Sequence, residues 1–85
     1  MSEPTYSLRV VDIWPLLVAL GDPRGALVLE NLIMLKDHPY PPTAVASPRG
    51  GGRLMLRVQG VCVEYEFIGD YMINCTELWE EDDDR

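Results

Sequence analysis

The stretch "RLMLRVQGVCVEYEFIGDYMIN", residues 53–74, predicts two consecutive β-hairpins. Apolar and polar side chains alternate on both sides of Gln59-Gly60, and Gly69-Asp70 is expected to form a second turn. Two-residue loops that contain glycine are typical of tight hairpin turns, because their twist matches that of the flanking strands. The stretch therefore predicts a meander of three antiparallel strands.

The first turn also predicts which side chains share a face of the sheet, because successive residues of a strand point to opposite sides. One face is apolar throughout and is expected to form the core; it carries Leu54, Leu56, Val63, Tyr65 and Phe67. The other face is expected to be exposed; it carries Arg53, Met55, Arg57, Cys62, Glu64 and Glu66. Replacing Tyr65 by alanine should therefore destabilise the domain strongly, whereas replacing Glu64 should cost little.

Cross-strand neighbours on the charged face follow from the same turns. Arg53 is expected opposite Glu66 as an ion pair, and Arg57 opposite Cys62 with Glu64 and Glu77 as diagonal neighbours. With Gly69-Asp70 as the second loop, Cys62 and Cys75 become diagonal neighbours on one face. A disulfide is then geometrically conceivable, but free thiols are expected in a reducing cytoplasm.

The residues before the meander predict one strand and a helical hairpin. Residues 5–11 are rich in β-branched and aromatic side chains and predict a strand. Asp12 is expected to cap a first helix, and Asp22 a second helix that has Pro23 as its first residue. The apolar stripe of the second helix is expected at Ala26, Leu29, Leu32 and Ile33. Residues 37–52, with four prolines and three glycines, predict a loop.

The predicted order is therefore β-α-α-β-β-β, an α+β fold in which a helical hairpin packs on an antiparallel sheet. Residues 1–79 are expected to form a single domain, and residues 80–85 an acidic C-terminal tail. No apolar run is long enough to span a bilayer, and the N-terminus lacks a signal-peptide pattern, so a cytoplasmic location is expected. One histidine and two cysteines form no metal-ligand spacing, and no cofactor is expected.

The formal net charge of −7 is concentrated in the last third of the chain. Residues 60–85 hold nine acidic side chains and one arginine, a balance of −8, whereas residues 1–59 are close to neutral. Such a field repels nucleic acid and favours a cationic protein surface. A negative strip is expected, with Trp79 as its apolar anchor and Glu64, Glu66, Glu77, Glu80 and Glu81 as its carboxylates. The tail alone could also be merely solubilising charge.

The chain resembles the RelE/ParE superfamily of toxin–antitoxin toxins. The likeness is carried by "YSLRVVDIW", by "LKDHPYP" at the end of the second helix, by "RLMLRVQGVCVEYEF" and by "ELWE". It implies a toxin that cuts ribosome-bound mRNA, or a gyrase-type inhibitor, with cations on the exposed sheet face. Arg53 and Arg57 match two such positions and are the weak catalytic candidates. Cys62 stands where the family usually has arginine, and "ELWEEDDD" where it usually has a basic residue.

Three hypotheses follow from the sequence. In the first, the chain is a toxin-like protein that is not an active nuclease and binds a protein partner, an antitoxin or another basic surface. In the second, it is a functional type II toxin that acts on the ribosome and mRNA or on gyrase. In the third, it is an unrelated small α+β interaction protein. The shortage of cations on the predicted sheet face favours the first.

Overall fold

The computed structural model describes residues 5–81, an α+β domain with two α-helices and a five-stranded mixed sheet. In chain order the elements are β1 (Ser7–Arg9), a short 3₁₀ helix (Val11–Ile13), α1 (Trp14–Leu20), α2 (Arg24–Met34), β2 (Val45–Ala46), β3 (Leu54–Val58), β4 (Val61–Ile68) and β5 (Met72–Glu80). The strands lie in the order β1-β5-β4-β3-β2. Within residues 5–81 no helix is both long and apolar enough to cross a membrane.

The sheet differs from the predicted one at both edges. β2 lies in the segment that was expected to be a loop, and it pairs with β3. The sequence did not predict this strand, because two residues are too few for alternation to be detected. β1 runs parallel to β5, so the sheet is mixed and the prediction of a purely antiparallel sheet is wrong. The relative direction of two strands so far apart in the chain is set by how the intervening layer folds, which alternation does not encode.

The register of the first hairpin is as predicted, and that of the second is not. Leu54 pairs with Tyr65, which confirms the first turn. The second loop holds three residues, 69–71, because Ile68 pairs with Met72. β5 then gains one extra residue, Thr76, in a β-bulge opposite the step between Glu64 and Tyr65.

The bulge separates the two cysteines. Cys75 pairs with Tyr65 on the core face, whereas Cys62 pairs with Trp79 on the opposite face. The prediction that the cysteines are diagonal neighbours on one face is therefore wrong. Both thiols are free and buried.

The core lies between the helices and the predicted apolar face of the sheet. Leu56, Val63 and Tyr65 are buried there, as predicted, with Leu54 and Phe67 packed at its margin. The helical layer contributes Ile13 of the 3₁₀ helix, Leu17 of α1, Val28 and Leu32 of α2, and Leu35 directly after α2. The predicted stripe of α2 is correct at Leu32, which is buried, and at Leu29, which packs against the core. It is wrong at Ala26 and Ile33, which are exposed, and Gly25 and Val28 are buried instead. The helices begin after Ile13 and Pro23, so the predicted caps at Asp12 and Asp22 are wrong as well.

Gly25 lies at the contact between the two helices and gives a test of this packing. A Cβ atom at this position would stand 2.7 Å from the carbonyl oxygen of Leu17, which is backbone and cannot turn away. Helix propensity alone favours Gly25→Ala by roughly 1 kcal/mol. We expect the clash to dominate and the variant to lose about 1–3 kcal/mol of unfolding free energy in urea titrations. An increase in stability would show that the helices are not packed this closely.

Candidate functional site

The face of the sheet that points away from the helices carries most of the ion pairs of the domain. We call this surface the charged sheet face and define it by Arg49, Arg53, Arg57, Glu64, Glu66, Glu77 and Glu81. Strands β3, β4 and β5 supply Arg57, Glu64, Glu66 and Glu77. Arg49 follows β2, Arg53 directly precedes β3, and Glu81 follows β5. The arginines lie on or beside β2 and β3, whereas Glu64 and Glu77 face each other on β4 and β5. Each arginine lies beside at least one carboxylate.

Glu64 lies at the centre of the charged sheet face and is 1% exposed. The hydroxyls of Ser47 and Thr76 each donate a hydrogen bond of 2.6 Å to its carboxylate. The Nε atoms of Arg49 and Arg53 lie 3.7 and 3.9 Å from its oxygens. The prediction that Glu64 is exposed is therefore wrong, because the segment after β2 folds over the sheet and the bulge brings Thr76 alongside.

The surroundings of Glu64 act on its pKa in opposite directions. Burial raises the pKa, because it disfavours the charged form. The hydrogen bonds from Ser47 and Thr76 and the positive charges of Arg49 and Arg53 outweigh burial and hold the pKa below its ordinary value. Glu64 is therefore an ionised buried carboxylate with hydrogen-bond and charge partners. A general acid or base would need a pKa near neutral pH, and the pKa of Glu64 is shifted away from that range.

The two catalytic candidates from the sequence, Arg53 and Arg57, are both engaged in ion pairs. The Nε atom of Arg53 lies 3.2 Å from Glu66, which confirms the predicted cross-strand pair. Arg57 bonds to Glu81 at 3.1 Å and not to its predicted diagonal neighbours.

The third arginine of the charged sheet face, Arg49, lies 3.0 Å from Glu77. The carboxylate of Glu77 and the charge of Glu64 together raise the pKa of Arg49. All three arginines of this face are thus held by carboxylates of the same chain.

The predicted partner-binding residues do not form one free negative strip. Glu66 and Glu77 bind arginines of the charged sheet face, and Glu80 binds Arg24 of α2 at 2.8 Å. Trp79 is half-buried and is one of the residues that line a small groove at the edge of the domain, with Leu16 and Leu20 of α1. Residues 82–85, which complete the predicted tail, lie outside the described residues.

Metal ligands and thiols are two further kinds of group that could carry chemistry. No three histidine, cysteine, aspartate or glutamate side chains within residues 5–81 are placed to hold a metal ion. Burial raises the pKa of the Cys75 thiol to about 12, so this group stays protonated and is a poor nucleophile.

Sequence reasoning missed three residues of the site: Ser47, Arg49 and Thr76. Ser47 and Arg49 lie next to a glycine run in a stretch that predicts only a loop, and Thr76 reaches Glu64 because of the bulge. The one available signal was the shortage of counter-charge around Glu64 in the predicted register.

The fold and this site together define a small α+β domain whose open sheet face is occupied by ion pairs. A scan against protein-family models found no match, and searches of curated proteins and of solved structures returned no significant match. The resemblance to the RelE/ParE superfamily therefore depends on the sequence stretches quoted above.

Proposed function

We propose that this chain is a RelE/ParE toxin-like protein of the cytoplasm that binds a protein partner with a basic surface and does not cut RNA. The observation that carries this proposal is the engagement of Arg49, Arg53 and Arg57 by carboxylates of the charged sheet face. The partner would be an antitoxin or another protein with a cationic surface.

The electrostatic argument concerns the charge that develops during RNA cleavage. Phosphoryl transition states are stabilised by cations that are already aimed at the phosphate oxygens. Here three arginines face four glutamates, so the charged sheet face has a formal charge of 3 − 4 = −1. A phosphate that approaches this face must displace carboxylates from the arginines before it can bind.

The alternative function, a working type II toxin, is favoured by one observation. The structure adds Arg49 to the two arginines that the sequence predicted, so three guanidinium groups lie on one sheet face. Arg49 and Arg57 are about half exposed and their ion pairs are accessible to solvent. In this alternative the ribosome or mRNA would replace the carboxylates as the partner of the arginines.

Added to translating ribosomes, the protein should produce no cleavage of mRNA in the ribosomal A site, because its arginines are neutralised in place. Primer extension on the ribosome-bound message would measure this, with an active mRNA-cutting toxin as the positive control. Cleavage that disappears in Arg57→Ala would contradict the proposal and establish the working toxin.

A further inference from the structure

The helical layer exposes large apolar side chains on the side opposite the charged sheet face. Val11, Trp14 and Val18 are 58%, 49% and 61% exposed. α1 buries Leu17 against the core, and its remaining surface is still apolar, because its sequence is WPLLVAL. Trp14 and Val18 are one helical turn apart and lie on the same side of α1.

Trp14 and Val18 border a groove between α1 and α2. Trp14, Val18, Asp22, Ala26 and Leu29 line the groove, which has a volume of about 280 Å³. Trp14 also lines a second groove, together with Leu8 of β1, so Trp14 lies between two apolar grooves. A half-exposed tryptophan between two grooves has the composition and shape of a binding anchor.

The carboxylates that make no ion pair within residues 5–81 lie mostly on the helical part of the chain. Four of these five acidic residues are Asp12, Asp22, Glu30 and Asp37, and the fifth is Asp70 in the β4–β5 loop. All four are exposed. Within residues 5–81, most carboxylates that are not in an ion pair, and so could contact a partner, therefore lie around the helices.

The cations near the helices do not cancel this charge at the groove. Arg24 is taken by Glu80, and Lys36 follows the C-terminal end of α2. Arg9 lines the second groove, toward β1, and is absent from the lining of the first. Asp22 is the charged side chain that lines the groove between the helices, and Glu30 lies one turn beyond Ala26 on α2.

We propose that the groove between α1 and α2 binds an amphipathic helix of a protein partner, with apolar side chains against Trp14 and Val18 and lysine or arginine side chains beside Asp22 and Glu30. This inference rests on the proposed function, since it specifies the basic partner. It places the contact on the helical layer and away from the charged sheet face. An apolar groove with a charged rim is the surface that helix-in-groove recognition uses.

Charge also argues against a second copy of the chain as the occupant. Two copies joined through this surface would bring both sets of carboxylates together, each chain having a net charge of −7. Like charges across an interface oppose association, whereas a cationic helix is attracted. The groove therefore favours a basic helix over self-association.

A designed peptide tests this inference. The probe is a fluorescein-labelled amphipathic helix of leucine and lysine, about 14 residues and thus about 21 Å long. Its control has the same leucines and glutamate for lysine. Fluorescence anisotropy should show binding of the lysine peptide that weakens with salt, and the glutamate peptide should bind at least tenfold more weakly.

Variants of the protein locate the contact. Trp14→Ala and, separately, Val18→Ser should each weaken binding of the lysine peptide about tenfold or more. Val45→Ser, at a valine on β2 that is also about half exposed, should not. Asp22→Asn combined with Glu30→Gln should flatten the salt dependence, and Asp70→Asn should leave it unchanged. Circular dichroism establishes that each variant is folded.

The remaining outcomes contradict the groove in distinguishable ways. If Glu77→Gln and Glu81→Gln weaken binding and the groove variants do not, the inference that the groove is the binding site is wrong. The proposal of a basic partner would then remain, with the charged sheet face as the contact. If the glutamate peptide binds the groove as well as the lysine peptide, the proposed basic partner is wrong. Light scattering that shows a dimer abolished by Val18→Ser would identify a second copy as the occupant and overturn the inference.

Discussion

Replacing Tyr65 by alanine should lower the free energy of unfolding by about 3–5 kcal/mol. Tyr65 is fully buried, and its ring packs edge-to-face against Phe67 at 6.0 Å. Its hydroxyl donates a hydrogen bond of 3.2 Å to the carbonyl of Pro39, which ties the segment after α2 to the central strand. A domain of this size has a total stability of about 4–13 kcal/mol, so the loss is a large fraction of the total. Thermal melts followed by circular dichroism measure the change.

Tyr65→Phe is the matched control for this prediction. It keeps the ring and removes only the hydrogen bond to Pro39, so it should cost about 1 kcal/mol. The difference between the two variants then isolates the packing of the aromatic ring. Equal losses in the two variants would show that the hydroxyl contact, and not the ring, holds the core at this point.

The core strands could be predicted from the sequence because their signals are local. Alternation on both sides of Gln59-Gly60 gave the first register, and with it the burial of Tyr65. The second register could not be predicted in the same way, because the sequence is compatible with a two-residue loop, 69–70, and with the observed three-residue loop, 69–71. The bulge at Thr76 then shifts the register by one more residue. The buried face of α2 was predicted only in part, because a largely apolar helix has more than one face that could be buried. Which face is buried depends on the close contact between Gly25 and the backbone of α1.

The candidate site was less predictable than the fold, because its contacts are between segments distant in sequence. The alternation placed Glu64 on the face opposite the core, which is correct, but a residue on that face is exposed only if nothing covers it. Ser47 and Arg49 cover it from a segment without a strand or helix pattern. Local periodicity therefore assigns a side chain to a face and does not give its exposure.

The second large effect concerns Glu64 itself, and it reverses the expectation from the sequence. Glu64→Ala should lower the free energy of unfolding by about 2–3 kcal/mol, because it removes the acceptor of two hydroxyl hydrogen bonds. Ser47 is 5% exposed, so its hydroxyl cannot turn to solvent. Glu66→Ala is the control, since its ion pair with Arg53 is partly exposed and should be worth less than about 1 kcal/mol. Urea titrations at neutral pH should rank the two variants in this order.

The pH dependence of the same site provides an independent test with Glu64→Gln. The folded state holds the pKa of Glu64 below its unfolded value of about 4.3, so the unfolded state binds a proton first as the pH falls. The stabilisation by ionised Glu64 is therefore fully present above that pH and is lost as the pH drops through the lower, folded pKa. The difference in unfolding free energy between wild type and Glu64→Gln should be constant from pH 7 to about pH 5 and should shrink below about pH 4. A difference that stays the same down to the acid limit would show that the ionised carboxylate is not what Ser47, Thr76 and the two arginines stabilise.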